Sequence, residues 1–305
     1  MSSRATQQSD ARKARQANYI RMLWRDFARS KLAVLALAVL VAIMLGALAA
    51  PWITPQNPYD QALLNLADAR LVPGSTGSGG YVHMLGTDAD GRDLYSAIVY
   101  GVRLSLGIGL VAGVVALVAG TLLGLLAALR GGLVEAAIMR VVDLQLSFPP
   151  LMLALVLVAA LGQGRFQVIV ALVAAQYAYF ARTVHGAALA ERQKEYIEAA
   201  AAIPLPPLRI ALGHLLPNVF PPLIVVGTIH IASTIVLEAT LSFLGVGLPM
   251  TEPSLGSLIL RGFEYMQSGR IWMSVYPGAT LVVIMLAINL VGDQLREVLN
   301  PRLKQ

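Results

Sequence analysis

The chain has 305 residues, 57% hydrophobic and 13% charged, where soluble domains carry roughly a quarter charged residues. That deficit excludes an ordinary soluble fold, and the absence of cysteine excludes disulfides, thiolate nucleophiles, iron–sulfur clusters and Cys-ligated zinc. His83, His185, His214 and His230 are too widely spaced to form a helical pair of metal ligands, so no metal site is expected. None of the lysines follows a glycine, so no P-loop for ATP can be drawn.

Six stretches contain no Asp, Glu, Lys or Arg: 32–50, 104–129, 144–164, 166–181, 215–237 and 271–292. An apolar helix of about 20 residues spans the hydrocarbon core of a bilayer, and only helices or closed barrels satisfy the backbone there. The runs lack the period-two alternation of barrel strands. The expectation is an all-α polytopic membrane protein with six transmembrane helices.

Residues 1–31 read as a cytoplasmic segment: a polar, basic tail to residue 18, then an interfacial amphipathic helix. That helix mixes Tyr19, Ile20, Leu23, Trp24 and Phe27 with Arg21, Arg25, Arg29 and Lys31. The first span opens the membrane domain, 32–305. Ala47-Leu48-Ala49 resembles a signal cleavage site, but the apolar run exceeds the 7–15 residues of a typical signal core, so an uncleaved anchor is expected. Residues 51–97, rich in proline and glycine, form a long external loop.

The second span carries Gly109, Gly113, Ala116, Gly120, Gly124 and Ala127 on one narrow stripe. Small residues at this spacing let helices approach closely, which predicts packing within the bundle, with a subunit contact as the alternative. Asp143 stands at the mouth of the third span, three residues from Arg140, and a local ion pair explains it. The fourth run is short for a span, and Arg165 and Arg182 are expected to snorkel to the two interfaces. Glu238 reads as an interface residue at the end of the fifth span; a proton relay with His230 is the alternative.

With six spans both termini share a side. Placing 1–31, 130–143, 182–214 and 293–305 inside puts seventeen Lys/Arg there and six outside. The bias predicts cytoplasmic termini. It also accounts for the net charge of +6 as topology, with no nucleic-acid partner implied.

The cytoplasmic loop 182–214 is the most informative segment. Tyr196, Ile197, Ala200 and Ile203 make a short amphipathic face that Pro204 terminates, and alanines occupy positions where bulk is ordinary. Lys194 and Glu198 have the spacing of a helical ion pair. Such a helix suits docking into a groove on another protein; a plain connecting loop needs neither feature.

Glu198-Ala199-Ala200, followed by Leu216-Pro217-Asn218, resembles the EAA loop of ABC importer permeases. Leu85-Gly86-Thr87-Asp88-Ala89-Asp90-Gly91-Arg92-Asp93 resembles the external motif of the dipeptide/oligopeptide/nickel permeases. The run from Glu238 to Gly245 resembles the end of their fifth helix. Gly292-Asp293-Gln294-Leu295-Arg296 with Asn300-Pro301-Arg302 resembles their tail. Four motifs in register from about Tyr19 to Leu303 look like the C-type subunit of the heterodimeric pair. Two departures stand out: Pro204 replaces the glycine of the EAA pattern, and Pro253-Ser254-Leu255-Gly256 follows Gly247 without the tryptophan common there.

The resemblance implies a type I ABC importer permease fold in a bacterial inner membrane. It implies as partners a second, B-type permease, two cytoplasmic ATPases that bind the ATP and magnesium, and a periplasmic or lipid-anchored solute-binding protein, besides membrane lipid. The chain itself would hold no cofactor and catalyse nothing. Glu195, Tyr196, Glu198, Ala199, Ala200, Ile203, Pro204, Leu205 and Arg209 would couple it to the ATPases. Gly86, Thr87, Asp88, Gly91, Arg92 and Asp93 form the external family motif, and Gly109, Gly113, Gly120 and Gly124 the packing stripe. Peptide is the leading cargo, with nickel-chelate, glutathione and opine-like solutes as alternatives. An ion-coupled secondary transporter would call for intramembrane acids or inverted repeats, and neither is clear in the sequence.

Overall fold

Ser30 starts the first long helix, its hydroxyl accepting from Ala33 N at 3.3 Å, and α1 runs Lys31–Leu48. The computed structural model describes residues 22–195, 209, 211–249 and 251–299, apart from the side chains of Leu63 and His214. Residues 22–27 form a helical turn ahead of α1, with Trp24 stacked on Phe27 at 5.9 Å. Phe27 is buried with Ala33 and Val298, while Trp24 is exposed.

After a single turn at Ala50–Ile53 the chain leaves the helical layer. Two short 3-10 turns and a hairpin of β1 (Ser75–Thr76) and β2 (Val82–His83) punctuate the segment that follows, which is otherwise turns and irregular backbone. Helix α2 (Leu94–Arg130) then runs for 37 residues, about 55 Å at 1.5 Å per residue. The loop expected to reach residue 97 thus gives way to helix at Leu94. A capping aspartate at position 93 sets that start, and hydrophobicity does not report it.

The third uncharged stretch, 144–164, is not one straight span. Helix α3 (Gly132–Leu146) and helix α4 (Pro150–Leu161) are bent by 95° to one another. Consecutive prolines at 149 and 150 explain the break: neither donates a backbone N–H, and each disfavours helical geometry in the residue before it. The fourth span is the reverse case. Helix α5 (Arg165–Arg192) is 28 residues long and is the most buried of the candidate spans. It continues for about three turns beyond Arg182 and carries Glu191 and Arg192 at its end, so the uncharged run of 166–181 marks only part of it.

A π-helical turn at Ala211–Leu215 leads into α6 (Leu216–Phe243). Helix α7 (Leu255–Glu264) and helix α8 (Trp272–Leu299) complete the described elements. Among the described residues five helices are long and apolar enough to cross a membrane, six spans if α3 and α4 count as one.

Helices α2, α5 and α6 form the centre. One cluster joins Leu104, Ile108 and Ala112 of α2 to Val168 and Leu172 of α5 and Leu237 and Leu241 of α6, with α4 against it. Toward the other end, Leu125 and Ala128 of α2 meet Phe180 and Val184 of α5 and Val219 and Leu223 of α6. The glycine stripe serves both contacts. A Cβ at Gly109 or Gly113 would meet Ile235 or Ile231 of α6, and one at Gly120 or Gly124 would meet backbone of α5 between Tyr177 and His185. Helix α1 docks outside this core against α8.

Candidate functional site

The motif at residues 85–93, expected to be external, is a knot that ties the segment before it to the start of α2. Asp93 is buried, and its Oδ2 accepts from Ser96 N at 2.8 Å and Ser96 Oγ at 2.6 Å. Its Oδ1 lies 3.0 Å from His83 Nδ1 on β2, and its own N–H donates to Gln56 Oε1 at 2.7 Å. Thr87 is fully buried; its hydroxyl donates to the Asp68 carbonyl at 2.6 Å and accepts from Leu71 N at 2.7 Å. Gly86 and Gly91 have φ of +79° and +78°, the left-handed region that glycine reaches without strain.

Charge is concentrated in the same turn. Asp88 Oδ1 accepts from the N–H groups of Asp90 and Arg92, both at 2.9 Å. Burial pushes the Asp88 carboxyl above the ordinary carboxylate range, opposed by the Arg92 guanidinium and these amides. Arg92 also lies 3.0 Å from Asp90, and Asp90 is bridged in turn by Arg261 of α7. The motif therefore fastens α7 as well as α2, a link across 171 positions that no local spacing announces. Nearby, the Ser78 hydroxyl and amide hold the exposed Asp68 carboxyl below its usual range.

At the opposite end of the bundle, the end of α5 is clamped to its neighbours. Arg182 pairs with Asp143, so the local Asp143–Arg140 pair is replaced by one between α5 and α3. His185 Nε2 lies 2.7 Å from Glu135 Oε1, the Gln145 side chain donates to the Ala174 carbonyl, and Arg192 donates to the Ala128 carbonyl of α2. Of the coupling residues, Tyr196, Glu198, Ala199, Ala200, Ile203, Pro204 and Leu205 lie outside the described residues. Glu195 and Arg209, on either side of that stretch, are both exposed. Lys194 pairs with Glu191 at 2.7 Å, and its expected partner Glu198 lies outside the described residues.

Inside the bundle the interface position expected for Glu238 does not hold. It is fully buried, one turn before the end of α6, and accepts from Ser242 Oγ at 2.8 Å; Ser105 of α2 lies within hydrogen-bonding reach. Ser105 Oγ also accepts from Leu255 N at 3.3 Å, so this acid pins α2, α6 and α7 together. His230 is not its partner: Nδ1 of that histidine lies 3.1 Å from Gln176 Oε1 of α5, and its ring lies over Tyr179. The relay pairing is absent. Among the described residues no three His, Asp or Glu side chains are grouped to hold a metal ion.

Comparison with known proteins bears on the whole chain. Residues 120–305 match the model of the binding-protein-dependent transport system inner membrane component family, and residues 18–73 match the N-terminal transmembrane domain of oligopeptide transport permease C. The di/tripeptide transport system permease protein DppC of Pseudomonas aeruginosa is 37% identical over 286 residues, 93% of each chain. The dipeptide transport system permease protein DppC of Escherichia coli is 38% identical over 283 residues, 92% of this chain and 93% of that one. A chain of the MetNI methionine ABC transporter, solved in inward-facing conformations, superposes with a TM-score of 0.55 at 24% identity. That match covers 68% of this chain and 98% of the other, and it shows a common fold. This multi-span helical chain belongs to the family of binding-protein-dependent transport system inner membrane components.

Proposed function

We propose that the chain is the C-type transmembrane subunit of an ATP-driven importer of peptides or closely related solutes. Its place would be beside a second permease, over two cytoplasmic ATPases and beneath an external solute-binding protein. The observation that carries the solute class is the identity, over nine-tenths of both chains, to permeases named for dipeptides and di/tripeptides. The chain's work is mechanical. Residues 195–209 leave the end of α5 where Arg182, His185 and Arg192 fasten that helix to α3 and α2. A partner that displaces the segment therefore moves three helices together, and a few kcal/mol of differential contact suffices to shift a two-state bundle.

The test uses the reconstituted complex. The purified chain alone shows no ATPase activity above background; the four-part complex in proteoliposomes takes up labelled dipeptide when ATP is supplied. Ala200→Trp and Glu198→Lys insert normally but weaken ATPase association and abolish uptake, whereas Pro204→Gly leaves uptake largely intact. Robust hydrolysis by the isolated chain, or wild-type uptake by Ala200→Trp with the ATPases bound, overturns the assignment.

A further inference from the structure

A cavity of about 450 Å³ opens between α2 and α5 at the external end of the bundle. Its upper wall is Tyr59, Tyr100, Arg103 and Arg165, and its lower wall is aliphatic, including Ile108 and Ile169. Arg103 is the last charge before the uncharged stretch 104–129, and Arg165 the last before 166–181, so both guanidiniums stand at one level, the outer boundary of the apolar core. The two cations are not equivalent. Arg165 Nε donates to Glu252 at 2.7 Å and is neutralised. Arg103 has neither an ion pair nor a hydrogen bond among the described residues. Arg103 is exposed, so the cluster offers one guanidinium that is free of an ion partner among the described residues and stands over an aliphatic floor, where an incoming anion can take it as a charge-assisted hydrogen-bond donor.

The aromatic wall is fixed in advance. Tyr59 Oη donates to the Tyr100 carbonyl at 3.3 Å, and the two rings meet edge to face at 5.3 Å. Burial pushes the Tyr59 phenol up to about 12, so it remains a neutral hydrogen-bonding group at any physiological pH. The arrangement of two guanidiniums and two phenols over an apolar floor repels a bare metal cation and matches a small molecule with a carboxylate at one end and an apolar body. Pockets that take small ligands whole have roughly 300–1,000 Å³, which admits a dipeptide but only the headgroup of a two-chain lipid.

We propose that this cavity is a receiving subsite for the carboxylate end of the incoming solute, with Arg103 as its anion ligand. The inference rests on the import reading and narrows its solute to one with a free carboxylate. A bilayer phosphate on the same arginine is the competing occupant.

The test uses the assembled transporter carrying Val111→Cys, since Val111 lines the cavity, is exposed and would be the only thiol of this subunit. Alanyl-phenylalanine slows maleimide labelling of that thiol, and its C-terminal amide does not. Arg103→Gln raises the dipeptide concentration needed for protection roughly tenfold to hundredfold, the value of a charge-assisted hydrogen bond; Arg103→Lys restores most of it. Equal protection by acid and amide, or unchanged protection in Arg103→Gln, overturns the proposal. So does protection that appears with phosphatidylglycerol in the vesicles and is indifferent to dipeptide, because the occupant is then a lipid headgroup. Labelling needs no ATP and no binding protein, so a complex that fails to import dipeptide overturns the import reading while still reporting on this subsite.

Discussion

Asp93 holds three partners with one carboxylate: the amide and hydroxyl of Ser96 at the start of α2, and the imidazole of His83 on the hairpin. Replacing it by alanine removes a helix cap and leaves buried polar groups without an acceptor, a loss of about 2–4 kcal/mol. Asp93→Ala is therefore expected to melt well below wild type in detergent, and Asp93→Asn, which still caps, to fall between them. Equal melting of all three proteins would show that the knot is not what holds the external segment on α2. The motif around Asp93 was legible in the sequence as a unit, because its residues are adjacent. Its partners were not: Gln56, His83 and Arg261 come from three other places in the chain, and only the fold brings them to it. The same limit explains Asp143, which spacing assigns to Arg140 and packing to Arg182. It explains Glu238 too. A charge at the end of an apolar run reads as an interface residue, yet serines from two helices give it a buried seat.

At the scale of elements, the glycine stripe of α2 gives the sharpest expectation. Its upper pair touches α6 and its lower pair α5, so added side chains at either level drive two helices apart. Overpacking of a tight contact costs about 1–3 kcal/mol, and more where the obstacle is backbone, as at Gly120 and Gly124. Gly109→Val and Gly120→Val should reduce the yield of folded, membrane-inserted protein and lower its melting temperature. Gly278→Ala in α8, where an added Cβ meets nothing within 4 Å, should be neutral or slightly stabilising. If all three behave alike, the close approach of α2 to its neighbours is not limiting. Hydropathy revealed the existence of these helices but misjudged their ends, since it counts charges and helices do not stop at them. Helix α5 runs three turns past Arg182 because its charges find partners on α2 and α3, whereas prolines break α3 from α4 in the middle of an uncharged stretch.

The whole molecule has two distinct ends, and only its orientation in the bilayer remains to be fixed by charge. The external segment, the start of α5 and helix α7 gather at one end: Arg165 pairs with Glu252, Gly164 N donates to the Gly247 carbonyl at 3.3 Å, and Arg261 pairs with Asp90. At the other end Phe27 and Ala33 meet Val298, so the beginning of α1 and the end of α8 lie together, and Gln193 follows α5 about 42 Å from its start. The sequence segments expected on that second side hold seventeen of the chain's Lys and Arg against six, which points it toward the cytoplasm. A thiol scan reads this directly, because the natural chain has no cysteine to interfere. Ser78, Gln193 and Ser268 are all exposed, so failure to label reports the membrane barrier and not burial. In intact cells a membrane-impermeant maleimide should modify Ser78→Cys and Ser268→Cys. Gln193→Cys should react only after permeabilisation. Labelling of Gln193→Cys in intact cells, with Ser78→Cys and Ser268→Cys protected, would invert the molecule and carry the ATPase-docking proposal away with it, since residues 195–209 would then face the side where no ATPase waits.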